Sequence, residues 1–404
     1  MRQNHLAGWA VARLRPTIFF PLLLMILGLG MTAPPAWAQS TLEYALICAA
    51  NPSACPSTIG GTCQNIVSAE FVGTLCSSSS QQSFRGNTFL TDGGLLDTTT
   101  SGDAIQTYVS SDGSTYHFKR GLLKTSTFTG RIYQIESRRR SVLNGAISTS
   151  SELVLNGVEQ LQDGGVLDTT DTGAAGYYVR RYVNADGSGR YIRRGLMRTP
   201  TFDGIIYQTE AKEKDTNGTL VSWNDTTLNG VEQLPEGGTL DTRNTGAGHY
   251  VRRYTSADSS SRYIRYGVLK TATFQGVIHQ TEAKEMFRGV LTPWSEMVMD
   301  GIEQLPEGGT LDTTQAGFYI RRYVQLDGSE YYIKNGLVKS PVFEGLVYES
   351  KMDLVVNGVK QTVNYVAQSG LWRIGAGKTL KGVVGRLDSS NGTVRIFDDR
   401  VIVP

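Results

Sequence analysis

The residues with most chemical character are arginines and tyrosines set in short, alternating runs. Tyr178, Arg180, Arg181 and Tyr182 precede the turn Asn184-Ala-Asp-Gly187, and Arg190, Tyr191, Arg193 and Arg194 follow it. The same cadence returns as Tyr250, Arg252, Arg253 and Tyr254 before Arg262 and Arg265, and as Tyr319, Arg321, Arg322 and Tyr323 before Lys334. Segment charges of +4, +3 and +1 follow from these residues and the acids among them. In a strand alternate residues share a face, so Tyr178, Arg180 and Tyr182 line up together. Guanidinium forks take carboxylate, sulfate or phosphate in bidentate fashion, and tyrosine faces stack on sugar rings. An acidic polysaccharide is one expected partner and another cell-surface protein a second, while no nucleic acid is expected. The candidate ligand-binding set is Tyr178, Arg180, Arg181, Tyr182, Arg193, Tyr250, Arg252, Arg253, Tyr254, Arg265, Tyr319, Arg321, Arg322 and Tyr323. The competing reading is that these arginines pair across strands with the protein's own acids, at roughly 0.2–1 kcal/mol for each pair.

Other chemistries find less support. His117, His249 and His279 each replace an aromatic residue at a different place in the repeat described below, so they form no repeated catalytic group. Gly375-Ala-Gly-Lys-Thr379 lacks the leading glycine of a phosphate-binding loop, because Trp372 stands there. Asp97, Asp168, Asp241 and Asp312 recur once per repeat beside Thr, a density suited to turn capping rather than calcium ligation. No catalytic residue, metal or cofactor is therefore assigned, and the chain reads as non-enzymatic.

The elements carrying these residues are repeats. Gly-Gly-x-Leu-Asp-Thr begins at Gly93, Gly164, Gly237 and Gly308, at intervals of 71, 73 and 71 residues. Each unit reads as β throughout, with Asp-Gly or Asn-Gly turns between short strands. A degenerate last unit keeps Val356-Asn-Gly-Val-Lys-Gln361 and Thr379-Leu-Lys-Gly-Val-Val384 but lacks the Gly-Gly block, as a capping repeat would. With 46 Gly and 12 Pro in 404 residues, the composition suits many tight turns. The expected organisation is repeats at 84–154, 155–227, 228–298 and 299–353, with the capping repeat at 354–404.

Upstream, Met1 to Ala38 has the form of a secretory signal peptide. Arg2, Arg13 and Arg15 precede an apolar core at Ile18 to Met31, and Ala36-Trp-Ala38 is a small-x-small cleavage site. Removing those three arginines leaves 36 basic against 37 acidic residues, so the expected mature chain is almost neutral. No later stretch has the ~20 apolar residues of a spanning helix, so no transmembrane anchor is expected. Cys48, Cys55, Cys63 and Cys76 lie within 29 residues, which in an exported protein suggests two disulfides of open pairing. Residues 39–83 are then a Cys-rich module ending in a linker-like serine run.

The cadence Asn-Gly-Val-Glu-Gln-x-x-x-Gly-Gly-x-x-x-Thr, at Gly157 to Thr169, Gly230 to Thr242 and Gly301 to Thr313, resembles the Gly-Gly-rich rungs of AIDA-like autotransporter passenger domains. That resemblance implies an elongated β-solenoid of the right-handed β-helix kind, displayed at a cell surface. The present unit is longer than one rung, and no membrane barrel is expected after Pro404. The expectation from all these features is an all-β, exported repeat protein of bacterial type, extracellular or associated with the outer membrane, the periplasm being the alternative site. Its expected role is adhesion or structural spacing, with self-assembly an open course. Anionic-polysaccharide binding is the second expectation and a β-helical polysaccharide lyase the third.

Overall fold

Strand-forming alternation and glycine turns dictate a sheet, and the computed structural model of the chain is all-β, with 26 strands in one antiparallel sheet among the described residues. It describes residues 62–403 apart from 142, 171–175, 244–246, 288, 357, 376 and 391. The signal segment, Cys48 and Cys55 lie outside the described residues.

The second repeat shows the plan. Ile147–Gln160 runs down the sheet and pairs in its last residues with the three-residue strand Val166–Asp168. The chain then leaves the sheet and re-enters as Tyr178–Val183, which pairs with the earlier part of the same long strand. These two short strands together fill one row. The next row, Gly189–Arg198, pairs with both of them. Phe202–Lys214 and Leu220–Gln233 complete the unit as a long hairpin. The next split row, Thr239–Asp241 and Tyr250–Thr255, then pairs with Leu220–Gln233. Each repeat therefore contributes four rows to one continuous ladder, and the described residues form one unit. Rows lie about 4.8 Å apart, so equivalent positions in successive repeats are about 19 Å apart along the sheet.

Two expectations change here. Rungs of a right-handed β-helix pair in parallel, whereas every described pairing joins antiparallel neighbours, so the expected solenoid coiling finds no support in these pairings. The serine run at 77–83 is a hairpin rather than a linker: Ser78 donates its N–H to the Gln81 carbonyl at 2.8 Å, joining Phe71–Ser77 to Gln81–Phe89. The neighbouring hairpin carries a disulfide between Cys63 and Cys76, which face one another directly in register.

The split row leaves a gap that the repeated residues close. Gly157 faces the break between the two short strands, so on that side its N–H would lack a strand partner. The Thr169 hydroxyl accepts the Gly157 N–H at 2.7 Å and donates to the Gly157 carbonyl at 2.9 Å. Thr98, Thr242 and Thr313 do the same for Gly86, Gly230 and Gly301. Asn156 adds a second clasp, donating its amide to the carbonyls of Thr169 and Tyr177 at 2.5 and 3.0 Å. Asn229 repeats this on the carbonyls of Thr242 and His249 at 2.7 and 3.1 Å, so in these two units Asn-Gly and the closing Thr recur together. Thr242 is 1% exposed. Thr242→Val keeps its shape but leaves the Gly230 N–H without an acceptor, and should cost about 1–3 kcal/mol, read by urea denaturation.

Glycine also faces glycine across the long hairpins, as Gly130 with Gly157, Gly204 with Gly230, and Gly276 with Gly301. One side of the sheet then collects Leu167, Val179 and Ile206, followed by Leu234, Leu240, Val251 and Ile278, and by Leu311, Ile320, Val338, Phe343 and Val347. Leu228 packs against the first two of these clusters and Met299 against the last two, so the apolar core runs on across repeat boundaries.

The hairpin turns use glycine in the left-handed region, at Gly113, Gly187 and Gly328. The third repeat has Ser259 there, with φ 69°. A side chain in that region costs roughly 1–2 kcal/mol. Ser259→Gly should therefore raise stability, by about 0.5–1 kcal/mol after the entropy glycine adds to the unfolded chain. Thermal denaturation of the two proteins measures it.

Candidate functional site

The tyrosine and arginine runs lie on Tyr178–Val183, Tyr250–Thr255 and Tyr319–Val324, the second strand of each split row. Alternation divides each Arg pair between the two faces. Arg180, Arg252 and Arg321 share a face with Tyr182, Tyr254 and Tyr323, while Arg181, Arg253 and Arg322 lie on the face that carries the buried Val179, Val251 and Ile320.

The first arginine of every pair is held by the protein's own acid. Arg180 Nε donates to Glu152 Oε1 at 2.8 Å. Arg252 forms a fork on Asp225, at 2.9 and 2.6 Å, and Arg321 Nη2 lies 2.7 Å from Glu296 Oε1. In each case that acid sits directly opposite the tyrosine two residues on, as Glu152–Tyr182, Asp225–Tyr254 and Glu296–Tyr323. The guanidinium carbons also lie 5.1, 5.8 and 5.1 Å from those tyrosine ring centres. Bonding to Asp225 pushes the Arg252 pKa up. Arg190 and Arg262 are likewise bonded to Glu213 and Glu285 at 2.6 Å.

On the other face the second arginines are exposed. Arg253 Nη2 lies 4.0 Å from Glu232 and its guanidinium 5.0 Å from the Tyr263 ring centre. Arg181 and Arg322 have no ion pair among the described residues. Arg193 donates to Gln208 at 3.0 Å, and Arg265 lies 5.2 Å from the Tyr263 ring centre. Tyr178, Tyr250 and Tyr319 are half-buried, opposite Arg194, Tyr266 and Asn335. The fourteen candidate residues thus form two series on opposite faces.

The acids Glu152, Asp225, Glu296, Glu213 and Glu285 were not singled out in the sequence. Their signal was the near-neutral charge, which requires acids close to the arginine runs. Trp223 and Trp294 also lacked a motif, though they recur at one repeat's spacing. Each lies directly opposite a buried alanine, Ala211 and Ala283. Trp223 donates its ring N–H to Glu213 Oε2 at 3.2 Å, and Arg190 lies 5.7 Å from its ring centre.

The repeated Asp residues cap turns. Asp168 Oδ1 accepts the Thr170 N–H at 2.8 Å and its hydroxyl at 2.6 Å. Asp312 and Asp97 repeat this with Thr314 and Thr99. Among the described residues, no three His, Cys, Asp or Glu side chains gather as a metal-binding group. His249 and His279 flank Tyr266, with ring centres 4.6 and 5.5 Å from it. His117 lies apart from them, with Nδ1 3.0 Å from the Thr107 hydroxyl.

The hairpin-turn acids contribute to the response to acid, beside Asp398, which Arg400 holds down to about 2. The Ser188 hydroxyl and N–H hold Asp186 down to about 2, with Lys214 helping. Ser110 and Ser114 lower Asp112, and Ser256 and Ser260 lower Asp258. A carboxylate depressed in the folded state stabilises above its unfolded pKa and loses that effect as pH falls through its folded value. The thermal midpoint should therefore fall slightly between pH 7 and 5, because burial holds the His117 imidazole below its ordinary range, and fall further between about pH 4 and 2. Asp186→Asn should make the second fall shallower.

Comparison with protein-family models, curated proteins and solved structures finds no match to this chain.

Proposed function

We propose that the chain is an exported, non-enzymatic repeat protein of the bacterial surface or matrix, serving as spacer and adhesive scaffold. The observation that carries this reading is the ladder itself. Every repeat adds four rows to one sheet, and the repeated Thr–Gly clasps exist to keep that sheet continuous. Pairing of Arg180, Arg252 and Arg321 with Glu152, Asp225 and Glu296 supports it further, because these side chains spend their charge within the sheet. The same internal pairing in three repeats speaks against one irregular row of converging acids and arginines, as a polysaccharide lyase would need. Display outside the cell rests on the Met1 to Ala38 segment and on the cysteine cluster. Outer-membrane association, the periplasm and self-assembly stay with this proposal.

Expression of the full chain in a bacterial host tests it. The expected result is a protein beginning at Gln39 outside the cytoplasm, with producing cells attaching to an inert surface in greater numbers. Cytoplasmic retention with Met1 in place, or unchanged attachment, contradicts it.

A second reading, capture of an anionic glycan, is favoured by the exposed Arg181 and Arg322 alone. It requires retention on immobilised sulfated or uronate-rich glycan that 0.5 M salt and Arg181→Ser, Arg253→Ser, Arg322→Ser together abolish. Equal retention by the folded variant removes this reading.

A further inference from the structure

On the face opposite the apolar core, a groove of about 490 Å3 opens between Trp223, Asp225, Tyr254, Ser256, Ala257 and Asp258. Its walls are fixed by strand register. Tyr254 lies directly opposite Asp225, and Trp223 falls one step beyond the Asn224–Thr255 pair, on the same face as both. Diagonal neighbours of this kind have Cα atoms ~7–8 Å apart, within reach of large rings. Along its strand Tyr254 has Arg252 on one side and the groove on the other. The Ser256 N–H donates to the Ser260 carbonyl at 2.8 Å, which holds the turn that closes the groove's end.

We infer that this groove is a subsite for an uncharged pyranose of a glycan chain, stacked on the Trp223 and Tyr254 rings with its hydroxyls donating to Asp225 and Asp258. Aromatic rings give apolar faces for the C–H side of a sugar, and a few placed polar groups orient it. Ionised carboxylates are acceptors only, with lone pairs left after internal bonding, so they suit hydroxyl donors. Charge decides against an acidic sugar. The nearby cations Arg252 and Arg190 are already bonded to Asp225 and Glu213, which leaves the Asp258 carboxylate at the rim. Trp223 is also pre-organised, held by Glu213 over Ala211, so little ordering is needed on binding.

The arrangement recurs once. Trp294 lies on the same face as Glu296, which sits opposite Tyr323, and the following turn carries Asp327. Four rows separate the two platforms, about 19 Å, so one extended chain could lie across both. One repeat earlier Ser150 stands in the place of Trp223, so Tyr182 has no tryptophan beside it. This inference deepens the adhesion reading and rests on it only for where the glycan is met.

The test is affinity electrophoresis of the full chain through gels holding a β-glucan, a galactomannan or dextran, with heparin as the anionic control. The expected result is retardation by at least one neutral polysaccharide, unchanged by 0.5 M salt. Trp223→Ala and Tyr254→Ala should each weaken it at least tenfold, and Trp223→Phe should restore part of it. No retardation by any neutral polysaccharide, or equal retardation of the folded alanine variants, overturns the inference. Retardation by heparin alone, abolished by salt, also overturns it and supports the arginine reading. If an alanine variant fails to fold, loss in Tyr254→Leu decides the matter, since that change keeps the bulk and removes the ring. Export and surface attachment are read separately, so a negative gel result leaves the scaffold reading standing.

Discussion

Gly230→Ala is expected to destabilise the protein by about 3 kcal/mol or more, the upper end of overpacking costs. A Cβ at Gly230 would stand 2.3 Å from the Asp203 carbonyl oxygen, 2.6 Å from the Gly204 Cα and 2.9 Å from the Asp203 carbonyl carbon. All three are backbone atoms, so no side chain can swing aside and the two strands themselves must part. Parting them also pulls Gly230 from the Thr242 hydroxyl, whose bonds of 2.8 and 3.0 Å close the break in the next row. Gly385→Ala is the matched control, because the nearest atoms to its added methyl lie 3.9 Å away. It should be neutral or stabilising by up to about 1 kcal/mol, through the unfolded chain. Urea titration of both variants separates a close backbone approach from any general intolerance of alanine in these strands.

The second large effect is expected at Leu240. It is 1% exposed, is clustered with Leu234, Val251 and Ile278, and borders a cavity of about 210 Å3 together with Leu269, Met297 and Met299. Leu240→Ala should cost about 2–5 kcal/mol. The loss should spread. Leu228 and Met299 each pack against two clusters, so amide exchange should rise in the repeats on both sides. A rise confined to Leu220–Lys270 would mean that the repeats behave as separate units.

Much of the fold was legible in the residues. The period, the turns and the strands of the Tyr/Arg hairpin follow from Gly, Asn-Gly and Asp-Gly placement and from period-two alternation. Pairing direction outside that hairpin was not legible, because Gly-Gly turns serve parallel rungs and antiparallel meanders equally well. What fixes the meander is that the strand Ile147–Gln160 pairs with two short strands at once, a long-range relation carried by Thr169 and Asn156. Thr169 looked like the end of a motif and is the clasp of a broken row.

The candidate site was legible only by half. The sequence placed Arg180 and Tyr182 on one face, which the register reproduces. It could not pair Arg180 with Glu152, 28 residues away, since only the row order brings them together. Trp223 was passed over for the same reason, because its partner Tyr254 comes from the next split row.

The central claim is that each repeat adds four rows to one continuous sheet. Small-angle scattering from the full chain and from a version lacking residues 228–298 tests it most directly. Removing one whole unit should leave a folded protein with an unchanged circular-dichroism band shape and a largest dimension shorter by about 19 Å. An unchanged largest dimension, or a shortened chain that no longer folds, would contradict a ladder built by repetition.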